Sequence, residues 1–382
     1  MKMNKVNIML ICGSISYAGS QRQMVELARY LDKRKFNVVM CSLSSDVQLK
    51  SELDGAGIPV EIIGKRFRYF IPIILRVKKL LEKHKIRIIY SFLFEANLVA
   101  RIAGWLARTP IVICSERSSN YEMKDYEVIV EKLTERLYDL TIANSQTGRD
   151  FLMKNKRVPK DKIKVVYNGI DPQRFEVSNN NDTKGQLNIP KNSLVIGIIA
   201  RFKPAKNHKM FFQVAKEIIS KYPNVYFICV GDTAPMQENY YKKMIEFLRD
   251  LRIEKRIMLT GKRLDIPNIL NIMDISVLTS SWEGLPNTLI ESMLMGIPVV
   301  VTDVGDNLLI VENEVNGFVV PVNDVDKMAE KISILLEDEN LRKEIGNRNK
   351  EKAISLFSIE KMVKNTEDIF LELLEKKRKV KV

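Results

Sequence analysis

Glu283 and Glu291 stand eight residues apart in the stretch LTSSWEGLPNTLIESMLMGIPVVVTD at 278–303. A carboxylate accepts hydrogen bonds from hydroxyl groups, so a pair of them suits a hydroxyl-rich ligand such as a ribose together with a sugar. The bare spacing carries little, because a carboxylate early in a helix is also favoured by the helix dipole. The setting carries more. A strand ends near Thr279, a polar turn holds Glu283 and Gly284, and a helix is expected after Pro286, since proline is favoured at a helix start. The backbone N–H groups of Asn287, Thr288 and Leu289 then form an anion site suited to a diphosphate.

A second cluster follows an apolar strand in IIARFKPAKNHKMFF, with Arg201 at the strand end and Lys206 just before a helix. Arginine offers a planar fork and lysine a point charge, a combination that clamps a pyrophosphate. Asn207 is the candidate N-cap of that helix. Near the chain start, GSISYAGSQRQM follows the first strand, and Gly13 and Gly19 would let the backbone approach a ligand closely. The third glycine of a GxGxxG is missing, so no dinucleotide is expected, and a tight βα loop explains the segment equally well. The two histidines, His84 and His208, have no Ser or Cys nucleophile signature around them, which argues against a His-dependent hydrolase. No DxD or His/Cys cluster stands out, so no metal and no cofactor are expected.

These residues need elements to hold them. Short β-branched runs (VNIMLIC, FNVVMCSL, IRIIYSFL, PIVICSE) alternate with amphipathic segments, the pattern of parallel βαβ units. The texture breaks between Asn168 and Pro190, where VSNNNDTKGQLNIP is rich in turn formers, and a second alternating series begins at SLVIGIIARF. The expected architecture is α/β, with two doubly wound domains at residues 1–180 and 181–357 and a long C-terminal helix at 358–382. The cysteines Cys12, Cys41, Cys114 and Cys229 lie in or beside apolar runs and read as buried, reduced thiols of a cytosolic protein. No apolar stretch reaches the ~18 residues of a membrane span, and the brief apolar run at the start reads as a strand rather than a signal peptide.

The net charge of +14 is uneven: residues 1–180 hold 31 Lys/Arg against 19 Asp/Glu, and the remainder 30 against 28. An anionic partner of the first half follows, either nucleic acid or an acidic membrane surface, unless the lysines are simply solvated. Residues 65–85, KRFRYFIPIILRVKKLLEKHK, mix apolar and basic side chains. Pro72 is expected to bar one clean helix there, leaving a basic amphipathic helix from about Ile73 to His84.

Taken together, NGID at 168–171, ARFKPAKNH at 200–208, VGD at 230–232, LTG at 259–261 and SSWEGLPNTLIESMLMGIPVVVTDVGD at 280–306 resemble glycosyltransferase family 4 over most of the chain. The resemblance implies a GT-B fold, two Rossmann-like domains facing across a cleft, the last helix crossing back to the first domain. It implies a retaining transfer of a hexosyl or N-acetylhexosaminyl group from a nucleotide sugar, UDP-linked by the family's frequency, to a lipid-linked or polysaccharide acceptor in cell-surface glycan synthesis. Arg201 and Lys206 take the role of diphosphate clamp, Glu283 that of the group touching the transferred sugar, and Glu291 that of the ribose ligand. The backbone after Leu285, through Pro286, Asn287 and Thr288, meets the phosphates, Lys262 and Arg263 border the base, and Gly19 faces the donor. Where many relatives carry a His after the strand PIVIC, this sequence reads CSERSS, which resembles a polysaccharide-assembly subset and makes Glu116 and Arg117 candidates for sugar or acceptor contact. The expected location is the cytoplasm or the inner membrane face, with peripheral contact to anionic lipid and no nucleic acid. The competing readings are a nucleotide-sugar epimerase of the same architecture, which would need acid/base residues near the sugar, and a basic nucleic-acid-binding protein.

Overall fold

The computed structural model describes residues 5–64, 70–117, 125–177, 182–233 and 237–379. The chain forms two compact units, Met1–Gly169 joined by Ile359–Val382, and Ile170–Ser358. In the first unit, β1 (Val6–Cys12), β2 (Phe36–Ser42), β3 (Val60–Ile62), β4 (Ile88–Phe92), β5 (Ile111–Glu116), β6 (Leu140–Ala143) and β7 (Ile163–Val165) form a parallel sheet ordered β3-β2-β1-β4-β5-β6-β7. Its helices are α1 (Gly19–Tyr30), α2 (Lys50–Gly55), α3 (Phe70–Lys83), α4 (Phe94–Leu106), α5 (Asp125–Thr134) and α6 (Gln146–Lys154). Both faces of the sheet are covered, which is why its strands are apolar runs rather than alternating ones. Successive side chains of β1 feed opposite layers, with Ile8, Leu10 and Cys12 in one core and Met9 and Ile11 in the other.

The second unit repeats the plan. Strands β8 (Leu194–Ile199), β9 (Val225–Val230), β10 (Ile257–Gly261), β11 (Ile275–Leu278), β12 (Val299–Thr302) and β13 (Phe318–Val320) run parallel in the order β10-β9-β8-β11-β12-β13. Helices α7 (Thr183–Gln186), α8 (His208–Lys221), α9 (Glu238–Leu251), α10 (Ile266–Asn271), α11 (Asn287–Leu294), α12 (Asn307–Ile310), α13 (Val325–Glu337) and α14 (Glu339–Phe357) complete it.

The last helix, α15 (Ile359–Lys379), belongs to the first unit, where Ile359, Met362, Val363, Ile369, Phe370 and Leu374 enter the core beneath α1. Phe370 meets Phe36 and Tyr90 edge-on with ring centroids 6.0 and 5.8 Å apart. Gln23 of α1 clamps the chain where the first unit is left, donating to the Gly169 carbonyl at 2.8 Å and accepting from the Gly169 amide at 2.9 Å. A side chain on Gly169 would meet the Ile359 backbone at 2.9 Å, so the close approach of α15 requires glycine there.

Two sequence expectations change. The units divide at Gly169/Ile170 rather than at 180/181, because the NGID segment is still held by α1 and α15 up to Gly169; residues 178–181 of the expected linker lie outside the described residues. Helix α3 begins at Phe70, ahead of Pro72. Proline is tolerated in a first turn because the N–H it lacks has no intrahelical partner there, so Pro72 sits inside the helix rather than delimiting it. Residues 65–69 of that basic segment and 380–382 of the tail lie outside the described residues. No helix among the described residues is long and apolar enough to cross a membrane.

Candidate active site

In the second unit the strand order reverses between β8 and β11, so the loops that follow these two strands sit side by side at the carboxyl edge of the sheet. A crevice at such a switch point is where open parallel sheets bind ligands. Arg201 follows β8, half exposed, with its Nε 3.4 Å from Asp232. A short 3-10 turn, Pro204–Lys206, then aims Lys206 toward the neighbouring loop. Asn207 turns left-handed at φ 48° and caps α8 by accepting from the Met210 amide at 3.4 Å. The cap expected from sequence is therefore present, in a conformation that asparagine tolerates.

The β11 loop is stitched to the β8 loop through backbone groups. Thr279 Oγ1 donates to the carbonyls of Lys206 and Asn207 at 3.0 and 3.1 Å, and the Ser281 amide donates to the Ala205 carbonyl at 2.8 Å. On this frame Lys206 Nζ ion-pairs with Glu283 Oε1, and Ser280 Oγ donates to the same oxygen at 2.6 Å. Both partners are largely shielded, with side chains 15% and 11% exposed, so the pair is screened less than one in open water. Thr302, at the end of β12, supports the loop from below through Oγ1, 2.6 Å from the Ser280 carbonyl.

Pro286 stands at the N-cap of α11 and supplies no capping side-chain bond. The first turn, Asn287, Thr288 and Leu289, therefore presents its amides at the same edge, and Glu291 lies one turn further along. Leu285 is buried and seats the turn. Gly305, at φ +58°, lies against it: a β-carbon there would fall 2.5 Å from the Glu283 carbonyl. Arg263 is bound in a bidentate pair to Asp265 at 2.8 and 2.5 Å, and Lys262 beside it is exposed. His208 is buried, stacked on Phe202 with ring centroids 4.0 Å apart, and burial holds its pKa to about 4. It is packing, so it offers no acid/base group to an epimerase. The four cysteines are buried and free, and burial pushes their thiols up, that of Cys41 to about 12.

The first unit holds Gly19, Glu116 and Arg117 at the carboxyl edge of its own sheet, where the order reverses between β1 and β4 and β5 lies next to β4. Gly19 opens α1. Glu116 ends β5 buried, its Oε2 2.6 Å from Lys156 Nζ. Arg117 lies over the Phe92 ring at 3.9 Å, donates to Asn168 Oδ1 at 2.6 Å and to Ser115 Oγ at 3.0 Å, and approaches the Tyr90 hydroxyl at 3.5 Å. Sequence reasoning missed Lys156, Thr279, Ser280 and Gly305 as parts of these sites. Ser280 and Gly305 both lie in the run at 280–306, and Ser280 reaches Glu283 within one turn; Lys156 and Thr279 meet their partners only through folding.

Comparison with known proteins agrees with this architecture. Residues 17–174 match the family model described as Glycosyltransferase Family 4, and residues 179–352 match the one described as Glycosyl transferases group 1. The chain belongs to glycosyltransferase family 4, and it is a glycosyltransferase. It is 30% identical over 319 residues, 80% of either chain, to the UDP-Gal:alpha-D-GlcNAc-diphosphoundecaprenol alpha-1,3-galactosyltransferase of Escherichia coli. It is 26% identical over 311 residues to the capsular polysaccharide biosynthesis glycosyltransferase CapM of Staphylococcus aureus, covering 79% of this chain and 81% of that one. In fold it matches Anabaena HepE, crystallised with UDP-glucose, at a TM-score of 0.86 and 24% identity, covering 96% and 99% of the two chains, which is the GT-B architecture.

Proposed function

We propose that this chain transfers a hexosyl or N-acetylhexosaminyl group from a UDP sugar to a lipid-diphosphate acceptor in cell-surface glycan synthesis, with retention of configuration and without a metal. The observation that carries the proposal is the ion pair of Lys206 and Glu283, held by Ser280 beside the first turn of α11 and near Arg201. Arg201, Lys206 and the amides after Pro286 stabilise the charge that develops on the departing diphosphate, the work a metal would otherwise do. Glu283 holds the sugar being moved and Glu291 the ribose. The acceptor hydroxyl attacks from the face the diphosphate leaves and passes its proton to a departing phosphate oxygen, so no enzymatic nucleophile is needed, unlike the two-carboxylate scheme of retaining glycosidases. In the first unit, Glu116 and Arg117 receive the acceptor, with Gly19 toward the donor. The activity of the Escherichia coli relative, with a UDP sugar and a diphosphoundecaprenol acceptor, supports this choice of substrates.

The direct test is a panel of UDP, GDP and ADP sugars incubated with the protein and diphosphate-linked polyprenol acceptors, with and without EDTA. Transfer from a UDP sugar that survives EDTA and yields an α product from an α donor is the expected result. An inverted product or loss of turnover on chelation would overturn the corresponding part. Glu283→Gln is expected to lower kcat by about 100-fold or more while leaving UDP binding nearly intact, whereas Arg201→Ala weakens both. Wild-type turnover in both variants would sink the site assignment.

A further inference from the structure

Two buried cations of the first unit are answered by carboxylates. Arg101 of α4 grips Glu131 of α5 through two bonds of 2.9 Å, and Lys156 Nζ lies 2.6 Å from Glu116 Oε2, every side chain in these pairs being less than a tenth exposed. That is the ordinary condition of a charge taken out of water. Arg117 departs from it. Its Nε donates to Ser115 Oγ at 3.0 Å, one terminal nitrogen donates to Asn168 Oδ1 at 2.6 Å, and the other approaches the Tyr90 hydroxyl at 3.5 Å. The Phe92 ring lies against it at 3.9 Å. All of these partners are neutral.

No carboxylate bonds the Arg117 guanidinium among the described residues. Glu116 beside it takes the Arg117 backbone amide at 3.2 Å and matches its charge to Lys156. Of the three charged side chains, Glu116 and Lys156 cancel, and one positive charge is left over. Burial pulls the guanidinium below the usual arginine range, the direction of a cation held without an anion. Arg117 is part-buried rather than sealed, and three of the five N–H donors of its guanidinium are committed, leaving one on each terminal nitrogen. Two N–H groups of a planar fork match two oxygens of one phosphate. The neutral partners hold the plane of that fork without cancelling its charge.

We infer that Arg117 is a phosphate-binding residue, and that the phosphate it takes belongs to the diphosphate of the acceptor. A sugar hydroxyl would be satisfied by an amide or a carboxylate, whereas an anion offsets the desolvation of an unpaired cation. The inference rests on the proposed function for the nature of the acceptor and divides the work within it: Arg117 supplies the charge, and Glu116, matched to Lys156, supplies none. The donor diphosphate is the other source of the same chemistry, and in the proposed function Arg201, Lys206 and the α11 amides already serve it.

Calorimetric titration of inorganic diphosphate into the full chain saturated with UDP tests the site with the donor crevice filled. The wild type is expected to bind it, and Arg117→Met to bind it at least about tenfold more weakly. Asn168→Asp places a carboxylate of the same shape 2.6 Å from the guanidinium, and should weaken diphosphate to a similar extent while melting no lower than the wild type. Wild-type binding in either variant, or no binding of diphosphate beside UDP by the wild type, would overturn the inference. Transfer assays then separate acceptor from donor. In Arg117→Met, kcat/KM for a diphosphate-linked polyprenyl sugar, divided by that for the same sugar as a neutral alkyl glycoside, should fall at least about tenfold. A higher KM for the UDP sugar with that ratio unchanged would give the arginine to the donor and overturn the inference. Arg117-dependent binding of inorganic diphosphate by a protein that uses no diphosphate-linked acceptor would leave the phosphate site standing and remove the acceptor named under the proposed function.

Discussion

Lys206 and Glu283 come from different loops, yet each is fixed by the other and by hydroxyls that touch both loops. Thr279, Ser280 and Thr302 bind backbone carbonyls or the Glu283 carboxylate, so the charges are placed before a ligand arrives. Preorganised charge of this kind acts without reorganisation during the reaction. Gly305 is part of the same device: Gly305→Ala should push the Glu283 carbonyl outward, lowering kcat about tenfold or more and lowering stability as well, because alanine is strained at φ +58° and its β-carbon meets backbone, measured by kinetics beside thermal melting. His208 gives a pH signature. Its folded pKa of about 4 lies below the ordinary 6.5, so its contribution to stability is complete above pH 6.5 and is lost as pH falls toward 4, when the unfolded chain takes a proton the folded one refuses. The loss is of the order of 3 kcal/mol. His208→Phe, stacked on Phe202 in the same way, should flatten the pH dependence of the second unit's melting between pH 6.5 and 4.

Among the elements, α4 and α5 are joined by the buried ion pair of Arg101 and Glu131 at 2.9 Å and by the edge-on rings of Phe94 and Tyr126, centroids 6.2 Å apart. Arg101 lies over the Tyr138 ring at 4.1 Å, and Tyr138 donates to Glu131 Oε1 at 3.0 Å, so every group in the cluster has a partner. Arg101→Leu would leave the buried Glu131 without its cation, held only by the Tyr138 hydroxyl, and is expected to cost about 3–5 kcal/mol by denaturant melting; adding Glu131→Leu should recover part of that loss. Tyr126, Ile129 and Leu133 of α5 face outward, an orientation that helical spacing alone does not give. Pro72 misleads in another way, since its effect depends on whether it falls in the first turn, and that is set by where α3 docks. The strands, the α11 start after Pro286 and the Asn207 cap were legible, because each rests on chemistry local to a few residues.

At the scale of the whole molecule, the two-unit plan could be read from the repeated βαβ pattern, but the path of the chain through it could not. The expected boundary fell in the Asn-rich stretch because composition marks turns, whereas the structure divides at Gly169, where Gln23 and Met362 converge on one peptide. Likewise Glu116 and Arg117 stood beside each other in sequence with no visible partners; Lys156 and Asn168 reach them only through folding. Calorimetry should resolve this division: UDP is expected to raise the melting of the second unit, by about 2.7 kcal/mol at a hundred times its Kd, and to leave the first unit's transition in place. A chain ending at Ser358 should lose the first unit's cooperative transition while still responding to UDP.

The excursion from Gly169 to Ile359 also sets an order of assembly. The second unit is an uninterrupted run of chain, Ile170–Ser358, whereas the first is assembled from both ends. A ribosome therefore releases everything the second unit needs before it releases α15, and the core around Phe36 and Tyr90 waits for Phe370. The half made first is finished last. A nascent protein whose second unit is complete while its other half is unsealed will meet chaperones through that open core, and late truncations should yield degradation rather than a partly active enzyme.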